Sequence, residues 1–97
     1  MAIFSIWESH FPEQNADEGR ALTDAIWRDM TAFRGYVSHE IIEDLDHPGH
    51  LLVVSEWTAR DRADDVLREY SSHPDARRAN ELVSQPRARF VGHLVSR

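Results

Sequence analysis

The segment from residue 35 to residue 57, GYVSHEIIEDLDHPGHLLVVSEW, constrains the fold more than any other part of the chain. Two runs rich in β-forming residues flank Pro48 and Gly49, where proline presets φ and glycine takes the positive φ of a type II turn. The segment therefore predicts a long β-hairpin. Because side chains alternate along a strand, the second strand presents two faces, and both carry apolar residues. These faces are Leu51, Val53, Ser55 and Trp57 on one side, and Leu52, Val54 and Glu56 on the other.

A strand that is apolar on both sides needs a cover on each side. We expect helices on one face and a partner, a second copy of the chain, on the other. The 97 residues make one domain, spanning 1–97. A chain of this length buries only about 60–65% of its unfolded surface, so burial against a second copy would add stability.

Two further strands and a long helix are predicted outside the hairpin. Residues 2–9 alternate loosely between apolar and polar faces, which predicts a first strand. From about residue 15 to residue 33 the apolar positions recur at helical spacing, which predicts the longest helix. Residues 87–96 alternate again and predict the last strand. The apolar positions of the helix are Leu22, Ile26, Met30 and Phe33.

Two short helices are predicted between the hairpin and the last strand. Thr58 and Asp61 form an acidic variant of a capping box for the first of them. Pro74 begins the second, with Ser72 or His73 as its cap. The resulting order is strand, helix, strand, strand, helix pair, strand. This order predicts an α+β, ferredoxin-like split βαβ fold with a four-stranded antiparallel sheet.

Composition excludes several classes of function. The chain has neither cysteine nor lysine, which removes thiolate nucleophiles, disulfides, cysteine metal sites and lysine Schiff bases. A formal net charge of -6 argues against a nucleic-acid partner, because phosphate binding needs a concentrated basic surface. No apolar run approaches the roughly 20 residues of a membrane span, and the N-terminus does not resemble a signal peptide. We expect a cytoplasmic protein that does not bind membranes.

The sequence resembles the antibiotic biosynthesis monooxygenase (ABM) family of dimeric α+β barrel proteins, over nearly its whole length. The similar segments are residues 33–37 (FRGYV), 46–49 (DHPG) and 52–57 (LVVSEW). This resemblance implies a homodimer whose two sheets pack face to face, with a small-molecule pocket between sheet and helices in each subunit. It also implies oxidation of an aromatic, polyketide-type molecule such as an anthrone by O2, without metal or flavin.

The sequence departs from that family at several positions. Quinone-forming members have an asparagine four residues before the tryptophan, where this chain has Val53, and an aromatic residue where it has Ala63. A haem-degrading branch has an asparagine and a histidine at positions that correspond to Trp7 and about Leu67. Trp57 is the one family residue that is retained.

Candidate bases are limited by composition to the six histidines or a carboxylate raised by burial. His10, His47 and His50 are predicted in loops or at turn edges, which leaves three histidines in enclosed positions. We predict His73 as the base, because Pro74 directs it towards the sheet beside Tyr70, a hydrogen-bond donor. The predicted catalytic residues are His73, Tyr70 and His39.

Trp57 ends its strand in line with Val53 and Ser55, so it would form a pocket wall and stack on a flat ligand, or else serve as a core aromatic. The predicted substrate-binding residues are Trp57, Trp7, His93 and Arg77. His47 and His50 flank a turn near Glu43, but two turn histidines without a fixed third ligand are a weak metal signal. We therefore predict no metal site and no cofactor.

The leading hypothesis is a cofactor-independent, monooxygenase-like enzyme acting on an aromatic small molecule. Two alternatives remain open at this stage. One is a dimer that binds a small molecule without catalysis. The other is an isomerase or cyclase that uses the same histidines for proton transfer without oxygen. A pocket that encloses a histidine hydrogen-bonded to a second polar residue would favour an enzyme, and one lined only by leucine, valine and phenylalanine would favour a binding protein.

Overall fold

The computed structural model describes residues 2–97. It contains four strands and three α-helices, with a short 3-10 turn, Glu13–Asn15, before the first helix. In chain order the elements are β1 (Ile3–His10), α1 (Ala16–Met30), β2 (Tyr36–Glu43), β3 (His50–Trp57), α2 (Arg60–Tyr70), α3 (Pro74–Leu82) and β4 (Ala88–His93).

The four strands form one antiparallel sheet in the order β2-β3-β1-β4. β1 lies in the centre, and Trp7 is opposite Val53 on one side and Arg89 on the other. The predicted α+β, ferredoxin-like fold is confirmed. Since β1 and β3 occupy the two central positions, the site described below is formed on strands that are paired on both edges.

The helices cover one face of this sheet, as expected from the hairpin sequence. Leu51, Val53, Ser55 and Trp57 are all buried, whereas their neighbours on the opposite face are half-exposed. Met30 and Ile26 of α1, together with Val66 of α2 and Ala79 of α3, pack against this face from the helix side. The core is therefore a single layer between sheet and helices.

The hairpin closes as predicted. The backbone N–H of His50 donates to the carbonyl of His47 at 3.0 Å, and Gly49 has φ +92°. Both features define a type II turn with Pro48 and Gly49 at its centre. A side chain at Gly49 would also be blocked, because a Cβ atom there would lie 2.4 Å from the carbonyl oxygen of Phe11.

The helix caps differ in part from the prediction. α2 begins at Arg60, and the residue before it, Ala59, makes no side-chain capping bond, so the predicted capping box is wrong. The backbone N–H of Thr58 instead donates to the carbonyl of Gly35 at 2.8 Å, which binds this residue to the hairpin. The cap of α3 is His73, one of the two residues predicted. Its Nδ1 accepts a hydrogen bond from the backbone N–H of Asp75 at 3.1 Å.

The opposite face of the sheet, which we call the outer face, has no helix over it in residues 2–97. It carries large apolar side chains: Ile42 is 48% exposed and Phe90 is 61% exposed. Within the same residues, none of the helices has the length and apolar character needed to cross a membrane.

Candidate active site

A cavity of about 100 Å³ lies between the helix-covered face of the sheet and the helices. Four aromatic side chains form its flat apolar walls, namely Trp7 of β1, Trp27 of α1, Trp57 of β3 and Tyr70 of α2. The polar side chains in the lining are Ser5, Ser9, Thr23, Ser71, Asn80 and Arg87. A mostly apolar lining with a few placed polar groups is typical of a small-molecule site, and this cavity is smaller than the roughly 300–1,000 Å³ of most ligand pockets.

Trp57 is held in one orientation by hydrogen bonds. It is 1% exposed, and its indole Nε1–H donates to Ser55 Oγ at 2.9 Å. The Ser55 hydroxyl in turn donates to the carbonyl of Ser5 on β1 at 3.0 Å. Tyr36 packs edge-on against the indole, with ring centroids 5.8 Å apart. The ring that forms this wall is therefore fixed before any ligand arrives.

Arg87 supplies a positive charge to the cavity. Its guanidinium carbon lies 5.1 Å from the centre of the Trp7 ring, a cation–π contact. Burial lowers the pKa of Arg87 from its ordinary value, yet a guanidinium stays protonated in proteins. Within residues 2–97 no carboxylate pairs with it. By contrast Arg89, two residues on, binds Asp64 at 3.0 Å and the Ser5 hydroxyl at 3.1 Å.

Tyr70 links the cavity wall to a polar group outside it. Its hydroxyl donates to Asp29 Oδ2 at 2.6 Å. Burial, with a further contribution from the hydrogen bond to Asp29, raises the pKa of Tyr70 above its ordinary value, so the phenol is protonated at neutral pH. This side chain can therefore accept a proton only if it passes its own proton to Asp29.

His73 lies against the outer side of Tyr70 and does not line the cavity. The two rings stack with centroids 4.4 Å apart, and His73 Nε2 is 3.7 Å from Asp29 Oδ2. Because Nδ1 accepts the capping bond, neutral His73 carries its proton on Nε2 and has no free lone pair for a substrate proton. It is next to Tyr70, as expected, but it has no direct access to a ligand.

Comparison with solved structures identifies the fold of this chain. The sequence matches no family model, and no curated protein matches it either. A mutant of SnoaB from Streptomyces nogalater, described as a cofactor-independent oxygenase, superposes with TM-score 0.85 at 12% identity, over 99% of this chain and 95% of that one. A candidate antibiotic biosynthesis monooxygenase from Bordetella bronchiseptica gives TM-score 0.82 at 14% identity, with 98% of both chains covered. The chain has the fold of the antibiotic biosynthesis monooxygenases.

A third structure extends the comparison to higher sequence identity. Rv0793 from Mycobacterium tuberculosis is 22% identical to this chain and has TM-score 0.76, with 100% of this chain and 98% of that one covered. The resemblance inferred from the sequence is thus confirmed at the level of the monooxygenase fold.

Within this monooxygenase fold, three of the predicted site residues meet at the cavity: Trp57, Trp7 and Tyr70. His39 lies behind the wall, where its ring packs on Trp27 at 5.5 Å and its Nδ1 bonds the Tyr36 hydroxyl at 2.6 Å. These two contacts give His39 a role in packing. The structure therefore separates His39 from the predicted catalytic group.

The other two predicted binding residues lie outside the cavity. His93 ends β4 and is exposed, at the end of the sheet opposite Ile3. Arg77 is exposed on α3, because that helix turns Ala76 and Ala79 inward and the two positions between them face solvent. Neither residue lines the cavity.

Sequence reasoning missed two residues of this site, Arg87 and Asp29. Trp27 interrupts the polar side of the first helix in the sequence, which suggests a subunit contact or a lid over the pocket, and the structure places it in the cavity wall. Arg87 and Asp29 carried no usable signal. Their roles depend on contacts across the fold, with Trp7 and with Tyr70.

Proposed function

We propose that this protein is a cofactor-independent, monooxygenase-like enzyme that oxidises an aromatic, polyketide-type small molecule. One observation carries the proposal: an aromatic-walled cavity contains a partly buried guanidinium, Arg87, that no carboxylate of residues 2–97 neutralises. Such a site fits a flat ligand that becomes anionic. The similarity in fold to SnoaB, described as a cofactor-independent oxygenase, supports the same class of chemistry.

The proposed reaction needs no external reductant. An activated ring CH2 group loses a proton, and the resulting anion is electron-rich enough to reduce O2. One oxygen atom remains on the carbon as a carbonyl, and the other leaves as water with the two hydrogens of the CH2 group. The protein must remove the proton and stabilise the anion in an enclosed site.

Arg87 and Tyr70 are the residues that we propose for these two tasks. Arg87 would hold the anionic oxygen of the deprotonated ligand. Tyr70 would accept the ligand proton at its hydroxyl oxygen while its own proton passes to Asp29 Oδ2, 2.6 Å away. This relay leaves the phenol neutral throughout, as its raised pKa requires. His73, next to Asp29, would act by positioning the relay more than as the direct base predicted from the sequence.

An oxygen electrode tests the proposal, with anthrone as the probe and a chelator in the buffer. We expect one O2 consumed for each ketone formed. Tyr70→Phe should lower turnover about a hundredfold or more, the scale of a lost general base, with a smaller effect for His73→Ala. Binding without oxygen uptake would instead support the non-catalytic alternative. Product formation under argon would support an isomerase or cyclase. A larger loss for His73→Ala than for Tyr70→Phe would restore His73 as the base.

We further propose a homodimer, formed through the outer face of the sheet. Ile42 and Phe90 are large, apolar and about half exposed there, and no element of residues 2–97 covers them. Light scattering should give twice the chain mass at micromolar concentration. Phe90→Glu should shift the protein towards monomer, whereas Leu45→Glu, in a loop where Leu45 is 99% exposed, should not. A wild-type monomer would contradict the proposed barrel. We also propose that the protein is cytoplasmic, as expected from the sequence.

A further inference from the structure

We propose that Glu8, His10 and His50 form a binding site for a divalent transition-metal ion such as Zn²⁺. The site lies at one end of the outer face of the sheet, on the side away from the aromatic cavity. It is separate from the proposed reaction, which needs no metal.

Strand pairing brings the three side chains together. Glu8 and His10 are two residues apart on β1, so both point to the same face. His50 is the direct antiparallel partner of His10 on β3, so it projects from that face as well. Two ligands at alternate positions of one strand and a third on the next strand form a triangle on a rigid support. The sequence showed only His47 and His50 beside a turn, because Glu8 and His10 are about forty residues away.

The donor atoms lie near the spacing of a tetrahedral site, and the side chains must reorient to bind an ion. Glu8 Oε2 is 2.7 Å from His50 Nε2 and 3.8 Å from His10 Nε2, and one donor atom from each residue lies within 4.8 Å of the others. Metal–ligand bonds of about 2.0–2.2 Å require donor atoms about 3.4 Å apart in a tetrahedron. The two shorter distances bracket this value. The His10 ring, stacked on His50 with centroids 4.2 Å apart, must tilt out of the stack to direct its lone pair at the ion.

Asp44 completes the arrangement. Its Oδ2 lies 2.8 Å from His50 Nδ1, the ring nitrogen that faces away from Glu8. In this structure the Nε2–H of His50 donates to the Glu8 carboxylate at 2.7 Å. The ion would replace that proton, while the Asp44 carboxylate keeps the proton on Nδ1 and orients the ring. Two histidines and one carboxylate, with water as the fourth ligand, make a common zinc-binding set. In the single chain the side chains of Glu8, His10 and His50 are 29–41% exposed, at the end of β1 and the start of β3, so an ion and that water can reach them before two copies associate.

A second cluster, formed by Asp29, His73 and Asp75, has three potential ligands but lacks this organisation. The Nδ1 atom of His73 already accepts the capping bond from Asp75. Asp29 accepts a hydrogen bond from Tyr70. Metal binding there would have to break both the cap of α3 and the link to the cavity wall, whereas binding at the first cluster replaces one hydrogen bond, from His50 to Glu8. We therefore assign the ion to the cluster on the outer face.

Calorimetry with ZnCl2 tests the assignment, using untagged protein freed of metal by chelator and dialysis. We expect one ion per chain for the wild type. Glu8→Gln and His50→Ala should each weaken binding about a hundredfold or more, and Asp44→Asn, outside the ligand set, by about 10–100-fold. His93→Ala, which removes an exposed histidine from the other face, should bind like the wild type. Co²⁺ in place of Zn²⁺ should give the intense visible absorption of a four-coordinate site.

Circular dichroism of each variant separates loss of the site from loss of the fold, and Glu8→Gln keeps the shape of the side chain. Three results would overturn the assignment. The first is no saturable binding by the wild type. The second is unchanged affinity in folded Glu8→Gln and His50→Ala. The third is loss of binding in His73→Ala, which would assign the ion to the second cluster.

Discussion

Replacing Trp57 by alanine is expected to lower the free energy of unfolding by about 3–5 kcal/mol, the usual cost of removing a large buried aromatic side chain. Trp57 is 1% exposed, packs against Tyr36 and joins the hydrogen-bond chain through Ser55 to Ser5. A loss of this size is a large part of the roughly 5–15 kcal/mol that stabilises a typical domain. Urea denaturation followed by far-ultraviolet circular dichroism measures it.

Trp57→Phe is the matched variant, because it keeps a ring in the wall and removes only the indole N–H and part of the area. Its loss of stability should be clearly smaller. Ligand binding, measured at a temperature where both variants are folded, should follow the same order, since a stacked aromatic pair adds about 0.5–1.5 kcal/mol beyond its area. Equal losses of affinity in the two variants would mean that Trp57 supports the core without contacting the ligand. A loss below about 1 kcal/mol for Trp57→Ala would contradict its assigned place in the core.

The features that the sequence predicted correctly are those set by local alternation and turn chemistry. The two faces of β3 follow from the period of a strand, and the turn at Pro48 and Gly49 follows from the φ values that these residues adopt. Ser72 or His73 was predicted as the cap of α3 because proline is tolerated in the first turn of a helix, and the structure shows His73 in that place. The capping box at Thr58 was wrong, because a local pattern does not contain the tertiary hydrogen bond from the Thr58 backbone to Gly35.

The polar parts of the candidate site depend on contacts between distant segments. Asp29 meets Tyr70 across 41 residues, and Glu8 meets His50 across 42. Local sequence treats Arg77, Arg87 and Arg89 alike. The fold exposes the first, leaves the second in the cavity without a carboxylate partner among residues 2–97, and pairs the third with Asp64. Which of these three arginines is removed from water depends on the tertiary structure, because it is determined when β4 pairs with β1 beneath the helices.

Arg87→Ala is expected to reduce the turnover of an anthrone by about 10²–10³-fold, the effect of removing one group that stabilises a developing anion in an enclosed site. Arg87 has no carboxylate partner among residues 2–97, so its removal breaks no ion pair and the melting temperature should change little. Oxygen uptake as a function of substrate concentration gives kcat and KM separately. The loss should appear mainly in kcat, because the negative charge forms during the reaction.

Three further variants make this result specific to the position of Arg87. Arg87→Lys keeps a positive charge without the planar donor group, so it should recover part of the lost rate. Arg28→Ala removes a guanidinium whose side chain is 77% exposed on α1, and it should leave turnover unchanged. Arg77→Ala removes the arginine that the sequence favoured, now known to face solvent, and it too should retain turnover. If Arg77→Ala loses activity while Arg87→Ala keeps it, the anion lies near α3 and the cavity beside Trp7 is not where it is held.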